Sequence, residues 1–395
     1  MKRLSGLLLL ALAGVLLSAC AAQPAAPASN IDQGSYLTGW QIDSAQAGTA
    51  DSGFVLDIQK DGQPVGVLLR GNTIRGKLYL RISDSSGAVV WRSDPVGGSF
   101  KIDTTITTLK AGKHNLGVGW DGPVGGVYDL YTVPGGPVQL PGVTPVALVS
   151  GVGMILVALG FAIYAAVHRL GWGYMGIGAL GWVIAVALKF LWAVPVNTPV
   201  YQFLQGALPA GWSETTFEIY VGLLTGIFEV IPVWLVVRYT RLGRVNFPRA
   251  LAFGIGFGVC EAALLGISSL GPALAGILSP NVLPVATLDQ LARANDLLYS
   301  LAPVSERFFI ILVHVFANVL VFFAAAARKP GYFWLAFAYK SLIDAAVAFP
   351  QVTGAFSLGQ IWGAEGVIAV WGVIGWVGTR WLEAHYPAAA TIEAG

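Results

Sequence analysis

The chain has 395 residues, of which 55% are hydrophobic and only 11% charged, with a formal net charge of +2. Soluble domains carry about 25% charged residues, so a wholly soluble globular protein is excluded; no basic patch interleaved with aromatic residues suggests nucleic acid as a partner. The two cysteines, Cys20 and Cys260, lie in such different contexts that neither a disulfide nor a cysteine-based metal site is expected.

At the N-terminus, Lys2 and Arg3 precede an apolar stretch from Leu7 to Leu17, and small residues lead to Cys20. This pattern predicts a secretory signal over residues 1–19. Leu17-Ser18-Ala19-Cys20 resembles the bacterial lipobox, and the resemblance implies lipidation at Cys20, a tether over residues 20–32 and location in a bacterial cytoplasmic membrane.

Residues 33–136 have ordinary charge and short alternating runs. In one of them Leu78, Leu80 and Ile82 alternate with Lys77, Tyr79 and Arg81. Similar runs at 54–58, 65–69, 88–91, 100–107 and 127–133, punctuated by Gly, Asp, Ser and Asn, predict a small extracytoplasmic all-β sandwich. No nucleophile set, phosphate loop or metal cluster is evident in it. His114, flanked by Lys113 and Asn115, is expected to be a solvated turn residue. A Pro/Gly-rich linker covers 137–145.

Residues 146–382 predict a multi-pass α-helical membrane bundle of about seven spans, since crossing the hydrocarbon takes about 20 apolar residues. The spans fall near 146–168, 172–194, 215–237, 250–270, 304–325, 332–350 and 361–380, with a short amphipathic helix around 289–299 and a cytoplasmic tail over 383–395. An outward first span end gives inside loops holding Arg169, Arg238, Arg241, Arg244, Arg249, Arg328, Lys329 and Arg380. Outside loops keep Arg293, with Arg307 near a helix end. Cytoplasmic loops are enriched in Lys and Arg, so the expected orientation has the β module outside and the C-terminus inside.

Ionisable side chains at membrane depth cost about 2.5–3.5 kcal/mol each on insertion scales. The spans nevertheless carry Lys189, Glu218, Glu229, Glu261, Glu306, His314, Lys340, Asp344 and Glu365. At about 1.5 Å of rise per residue, Glu229, Glu261, His314, Lys340 and Asp344 fall within about 9 Å of one another in depth, which predicts one polar cavity. His314 and Asn318 share a helix face, as do Lys340 and Asp344, and Phe257 and Glu261. Pro232, three residues after Glu229, predicts a kink there.

At these residues the sequence resembles the YhfC family of intramembrane metallopeptidases, which is akin to the CPBP and PrsW groups. The matching segments are Gly226-Ile227-Phe228-Glu229, Gly254-Ile255-Gly256-Phe257-Gly258-Val259-Cys260-Glu261-Ala262, Glu306-Arg307 with His314 downstream, and Lys340-Ser341-Leu342-Ile343-Asp344. The resemblance covers roughly 146–380 and implies peptide hydrolysis within the bilayer. Glu229, Glu261, His314 and Asn318 would be catalytic, with Glu229 or Glu261 activating water and Asn318 donating to the oxyanion. Glu261, His314 and Asp344 would hold a divalent metal such as zinc, and Lys340, Glu306 and Lys189 would be charge partners in the cavity. The implied partners are the lipid bilayer and a membrane protein or peptide substrate.

The sequence departs from the related patterns in three places. Val230 follows Glu229 where a second glutamate is usual, and Trp234 stands at the basic position. Phe257 replaces a histidine four residues before Glu261. Lys340 replaces the histidine of a His-xxx-Asp motif. Neither phenylalanine nor an ammonium group binds a metal. Three readings therefore remain: a divergent peptidase, an inactivated homologue that serves as a membrane sensor or partner-binding protein through its β module, and a proton-coupled transporter. No inverted-repeat pattern of broken helices supports the last.

Overall fold

A computed structural model describes residues 35–387 apart from 139, 210 and 354–356. The expected signal, the Cys20 lipidation site and most of the expected C-terminal tail lie outside the described residues. The described residues divide into two compact units: one comprises 35–143 with 275–292, and the other comprises 144–274 with the residues from 293 onward.

The first unit is a two-sheet β structure. One antiparallel sheet has the strand order β1-β8-β3-β6 and the other β2-β7-β4-β5. The strands are β1 Ser35–Ser44, β2 Gly48–Ile58, β3 Val65–Arg75, β4 Tyr79–Asp84, β5 Val89–Arg92, β6 Ser99–Ile106, β7 Gly112–Trp120 and β8 Val124–Pro134. Their inward positions, including Val67, Leu69, Leu80, Ile82, Leu116, Val118 and Leu130, form the core between the sheets. That is the packing expected of a sandwich.

His114 corrects one expectation. It lies within β7, not in a turn, and is only 5% exposed. The cause is strand period: 114, 116 and 118 share a face, and Leu116 and Val118 belong to the core. Its Nε2 lies 2.8 Å from the Lys110 carbonyl oxygen. Gly119 in the same strand is required by packing, because a Cβ there would come within 2.4 Å of the Tyr79 ring.

In the second unit we number the helices α1 Leu148–Val167, α2 Trp172–Ala207, α3 Trp212–Thr225, α4 Ile231–Tyr239, α5 Phe247–Leu278, α7 Leu297–Ala326, α8 Gly331–Thr353 and α9 Leu358–His385. The short helix α6, Val285–Arg293, falls largely in the first unit. Among the described residues, six helical segments are long and apolar enough to cross a membrane: α1, α2, α3 with α4, α5, α7 and α9. The helix α8 stands where the remaining expected span was placed. The amphipathic helix ends earlier than expected, because the Asp296 carboxylate accepts a hydrogen bond from Leu298 N at 2.8 Å and so caps the start of α7.

Three features position the polar residues. First, α7 is the most enclosed span, with 78% of its apolar window buried against 22% for α1. Second, the glycines of α5 form notches on two faces. A Cβ at Gly254 or Gly258 would lie 2.9 or 3.0 Å from the backbone of Val315 or Ile311 on α7, and one at Gly256 would lie 1.9 Å from the Met175 carbonyl oxygen on α2. Small residues of this kind let helices approach closely in a membrane, so α5 lodges between α2 and α7. Third, the expected kink is a π-helical turn, Gly226–Val230, just before Pro232. Proline cannot donate the backbone bond of a regular helix, and the widened turn carries Glu229. Gly222 and Gly226 press against Ser341, which brings α3 and the π turn onto α8.

Candidate active site

These contacts deliver ionisable side chains from five elements to a common place. The π turn presents Glu229, α5 presents Glu261, α7 presents Arg307 and His314, α8 presents Lys340 and Asp344, and α2 presents Lys189. Glu229, His314, Arg307 and Lys340 are all buried.

His314 is the centre of the arrangement. Its Nε2 lies 2.6 Å from Glu261 Oε2. On its other side, Nδ1 lies 3.5 Å from Lys340 Nζ and 4.0 Å from Glu229 Oε2. The pattern assigns the imidazole proton to Nε2, which donates to Glu261, and leaves the Nδ1 lone pair facing the ammonium. Phe257 packs beside the ring with centroids 5.0 Å apart. Where the related pattern has a histidine, this chain has an aromatic wall.

Glu229 has an ammonium group near each oxygen. Lys340 Nζ is 3.1 Å from Oε2, and Lys189 Nζ is 3.6 Å from Oε1. The Lys340 ammonium approaches off the hydrogen-bonding direction, and Oε2 accepts no hydrogen bond among the described residues. Lys189 donates to Thr225 Oγ1 at 2.6 Å, and the Thr225 hydroxyl donates to Asp344 Oδ2 at 2.5 Å. Lys189 Nζ also lies 3.7 Å from Asp344 Oδ2.

On the far side, Glu261 is held by three donors. Trp182 Nε1 donates to Oε2 at 3.0 Å, His314 meets the same oxygen, and Arg307 donates to Oε1. Arg307 also donates to Glu306, so its planar fork joins two carboxylates. Counted together, the carboxylates of Glu229, Glu261, Glu306 and Asp344 meet Lys189, Arg307 and Lys340, with His314 between them. Buried charges persist in apolar surroundings only when compensated in this way.

Beside His314 is a small cavity of about 10 Å³, lined by Glu229, Phe257, His314, Asn318 and Lys340 with Val230, Ala317 and Val321. That is room for about one water molecule. Asn318 directs its amide nitrogen to the His314 carbonyl oxygen at 2.8 Å. Its second amide N–H is not used by that bond.

The expected residues Glu229, Glu261, His314, Lys340, Lys189, Asp344 and Glu306 thus fall in one connected network, with Asn318 on its cavity. Arg307, which the sequence marked as a helix-end charge and in the Glu306-Arg307 segment but gave no role, belongs to it, as do Trp182 and Thr225, which the sequence did not mark. Glu218 and Glu365 are buried, yet each has one oxygen without a hydrogen-bond partner among the described residues. Glu365 lies within electrostatic range of Glu306 and Arg307.

The residues as placed do not fit a bound divalent metal. Among the described residues, no group of three or more His, Cys, Asp or Glu side chains is arranged to hold one. Glu261 and His314 Nε2 engage each other, and Asp344 is turned to Thr225 and Lys189. His314 and Glu229 line the cavity together with Lys340, whose ammonium lies 3.5 Å from His314 Nδ1 and 3.1 Å from Glu229 Oε2 and would repel a dication.

Comparison with curated proteins gives no match for the chain. Comparison with known protein families matches residues 153–368, more than half of the sequence, to the family described as YhfC intramembrane metalloprotease. The matched stretch contains every residue of the network. The chain belongs to the YhfC intramembrane metalloprotease family.

Proposed function

We propose that the protein hydrolyses a peptide bond of a membrane-embedded substrate, using its own side chains at the cavity beside His314. One observation carries this reading: a water-sized space is lined by Glu229, whose Oε2 is ion-paired with Lys340 but accepts no hydrogen bond among the described residues, together with His314, Asn318 and Lys340. A water there would donate to Glu229 Oε2, which takes its proton as the oxygen attacks the carbonyl carbon. Lys340 and the second amide N–H of Asn318 supply positive charge and a donor for the developing oxyanion. Glu261 fixes the tautomer of His314, as an orienting carboxylate does in a triad. The glutamate returns its proton to the leaving amine.

The second reading, a non-catalytic homologue that binds a membrane helix or a lipid-like molecule, is favoured by the ammonium group near each oxygen of Glu229. In both readings the chain resides in a bacterial cytoplasmic membrane. The β unit is outside, anchored through lipidated Cys20, as the distribution of Lys and Arg and the N-terminal pattern support.

Reconstitution with a library of helical membrane peptides, followed by mass spectrometry of the products, separates the readings. New termini made by the wild type and abolished in folded Glu229→Gln are expected. Equal cleavage by both would remove Glu229 from the chemistry. No cleavage by well-folded wild-type protein would leave the non-catalytic reading.

A further inference from the structure

We propose that Lys189, Thr225 and Asp344 form the inner end of a polar crevice by which water reaches Glu229 from outside the helical unit. The inference rests on where these charges lie and does not require the chain to cleave peptides; a hydrolase would draw its water by this route.

The level of the three side chains follows from the helices that carry them. Thr225 is the fourteenth residue of α3 and Asp344 the fourteenth of α8, so each stands about 20 Å from the start of its helix. The crossings at α5 and α7 separate these two helices in the chain, so α3 and α8 run in opposite directions. The Thr225 hydroxyl nevertheless donates to Asp344 Oδ2 at 2.5 Å, and Lys189 Nζ donates to the same hydroxyl at 2.6 Å. A point about 20 Å from the starts of two opposed helices lies well inside a bilayer that is about 40–45 Å thick with its headgroups.

At that level the network is open on one side. The side chains of Lys189 and Asp344 are 24% and 23% exposed, against 2% for His314. Their ion pair spans 3.7 Å and leaves part of each charged group uncovered. Acyl chains against an ammonium and a carboxylate are costly, and charged side chains within spans face a partner or a water-filled cavity. Water is the occupant that solvates both signs. The path inward from the pair is short: Lys189 Nζ lies 3.6 Å from Glu229 Oε1, and Glu229 lines the water-sized cavity beside His314. Glu306, at the other end of the network, is half-buried too, but as the tenth residue of α7 it lies only about 14 Å from its helix start, nearer a membrane face.

The test uses full-length protein in permeabilised proteoliposomes, treated with the cationic thiol reagent 2-(trimethylammonium)ethyl methanethiosulfonate. Mass spectrometry reads the introduced site, so the native cysteines stay in place. The reagent attacks the thiolate, which apolar surroundings suppress. Leu188 and Leu342, on the same two helices, are more exposed than Lys189 and Asp344 and serve as lipid-facing controls. Lys189→Cys and Asp344→Cys are expected to react about tenfold faster than Leu188→Cys and Leu342→Cys. Equal or slower reaction at 189 and 344 in folded protein would overturn the proposal. If either single variant does not elute as a monodisperse species, Lys189→Cys with Asp344→Asn removes one charge of each sign. The same excess over Leu188→Cys is then expected, and its absence in the folded double variant contradicts the crevice.

Discussion

Lys340 and Glu229 meet across 3.1 Å in the interior of the helical unit, one from α8 and the other from a π-helical turn. Both are buried, and each has a further neighbour of the network: Lys189 for the glutamate and His314 for the lysine. Removing one member of a buried pair leaves the other uncompensated, at a cost of about 3–5 kcal/mol, whereas replacing both by neutral groups costs much less.

Lys340→Met is therefore expected to lower thermal stability in detergent by an amount in that range. The double variant Lys340→Met with Glu229→Gln should recover most of the loss. Melting curves of the wild type, both single variants and the double variant give the coupling directly. Additive losses would show that the two side chains do not interact.

Arg307 joins Glu261 to Glu306 through a planar fork that a lysine cannot reproduce. Arg307→Lys is expected to destabilise the protein by about 1–3 kcal/mol despite the retained charge, since a buried charged partner loses a hydrogen bond. The variant should also disturb His314, whose Nε2 rests on the same glutamate. Nitrogen NMR of histidine-labelled protein would register this as a changed tautomer balance. An unchanged His314 spectrum would confine Arg307 to a local role.

The glycine notches in α5 make a steric prediction. At Gly256 a Cβ would lie 1.9 Å from the Met175 carbonyl oxygen, so Gly256→Ala forces α5 away from α2. Overpacking of this kind costs about 1–3 kcal/mol. Gly366→Ala in α9, where a Cβ has no neighbour within 4 Å, should be neutral or stabilising by up to about 1 kcal/mol. Paired melting curves of the two variants test the contrast; equal effects would contradict the notch.

These contacts show why part of the site was legible before the structure. Glu229, Glu261, His314, Lys340 and Asp344 stood out because ionisable groups are costly in long apolar spans, and the same long spans revealed the helices. Arg307 was named in the Glu306-Arg307 segment but given no role, because an arginine near a helix end reads equally well as an interfacial charge. Trp182 and Thr225 carry no mark in sequence: an indole or a hydroxyl on an apolar helix looks like packing until its partner is seen. In the β unit, β7 was missed because Gly117 and Gly119 break the alternation of large residues. His114 was misplaced as a consequence.

The β4–β5 turn supplies a pH dependence. Asp84 accepts hydrogen bonds from the Ser86 hydroxyl at 2.6 Å and from the backbone N–H groups of Ser86 and Ala88 at 2.9 and 3.1 Å. The Ser86 hydroxyl is the largest of the influences that hold its carboxyl below the ordinary aspartate value. A lowered folded-state value means that the turn is stabilised above the ordinary carboxylate range. That stabilisation is lost as pH falls through the folded value. A carboxyl-carbon NMR titration should place Asp84 below an exposed reference aspartate, and Ser86→Ala should move it upward. Coincident titrations would refute the assignment.

The decisive measurement is cleavage of a susceptible membrane peptide by reconstituted protein after exhaustive chelation. Activity that persists without metal and disappears in folded Glu229→Gln is expected when the chain's own residues carry the hydrolysis. Activity that chelation abolishes and zinc restores would contradict it.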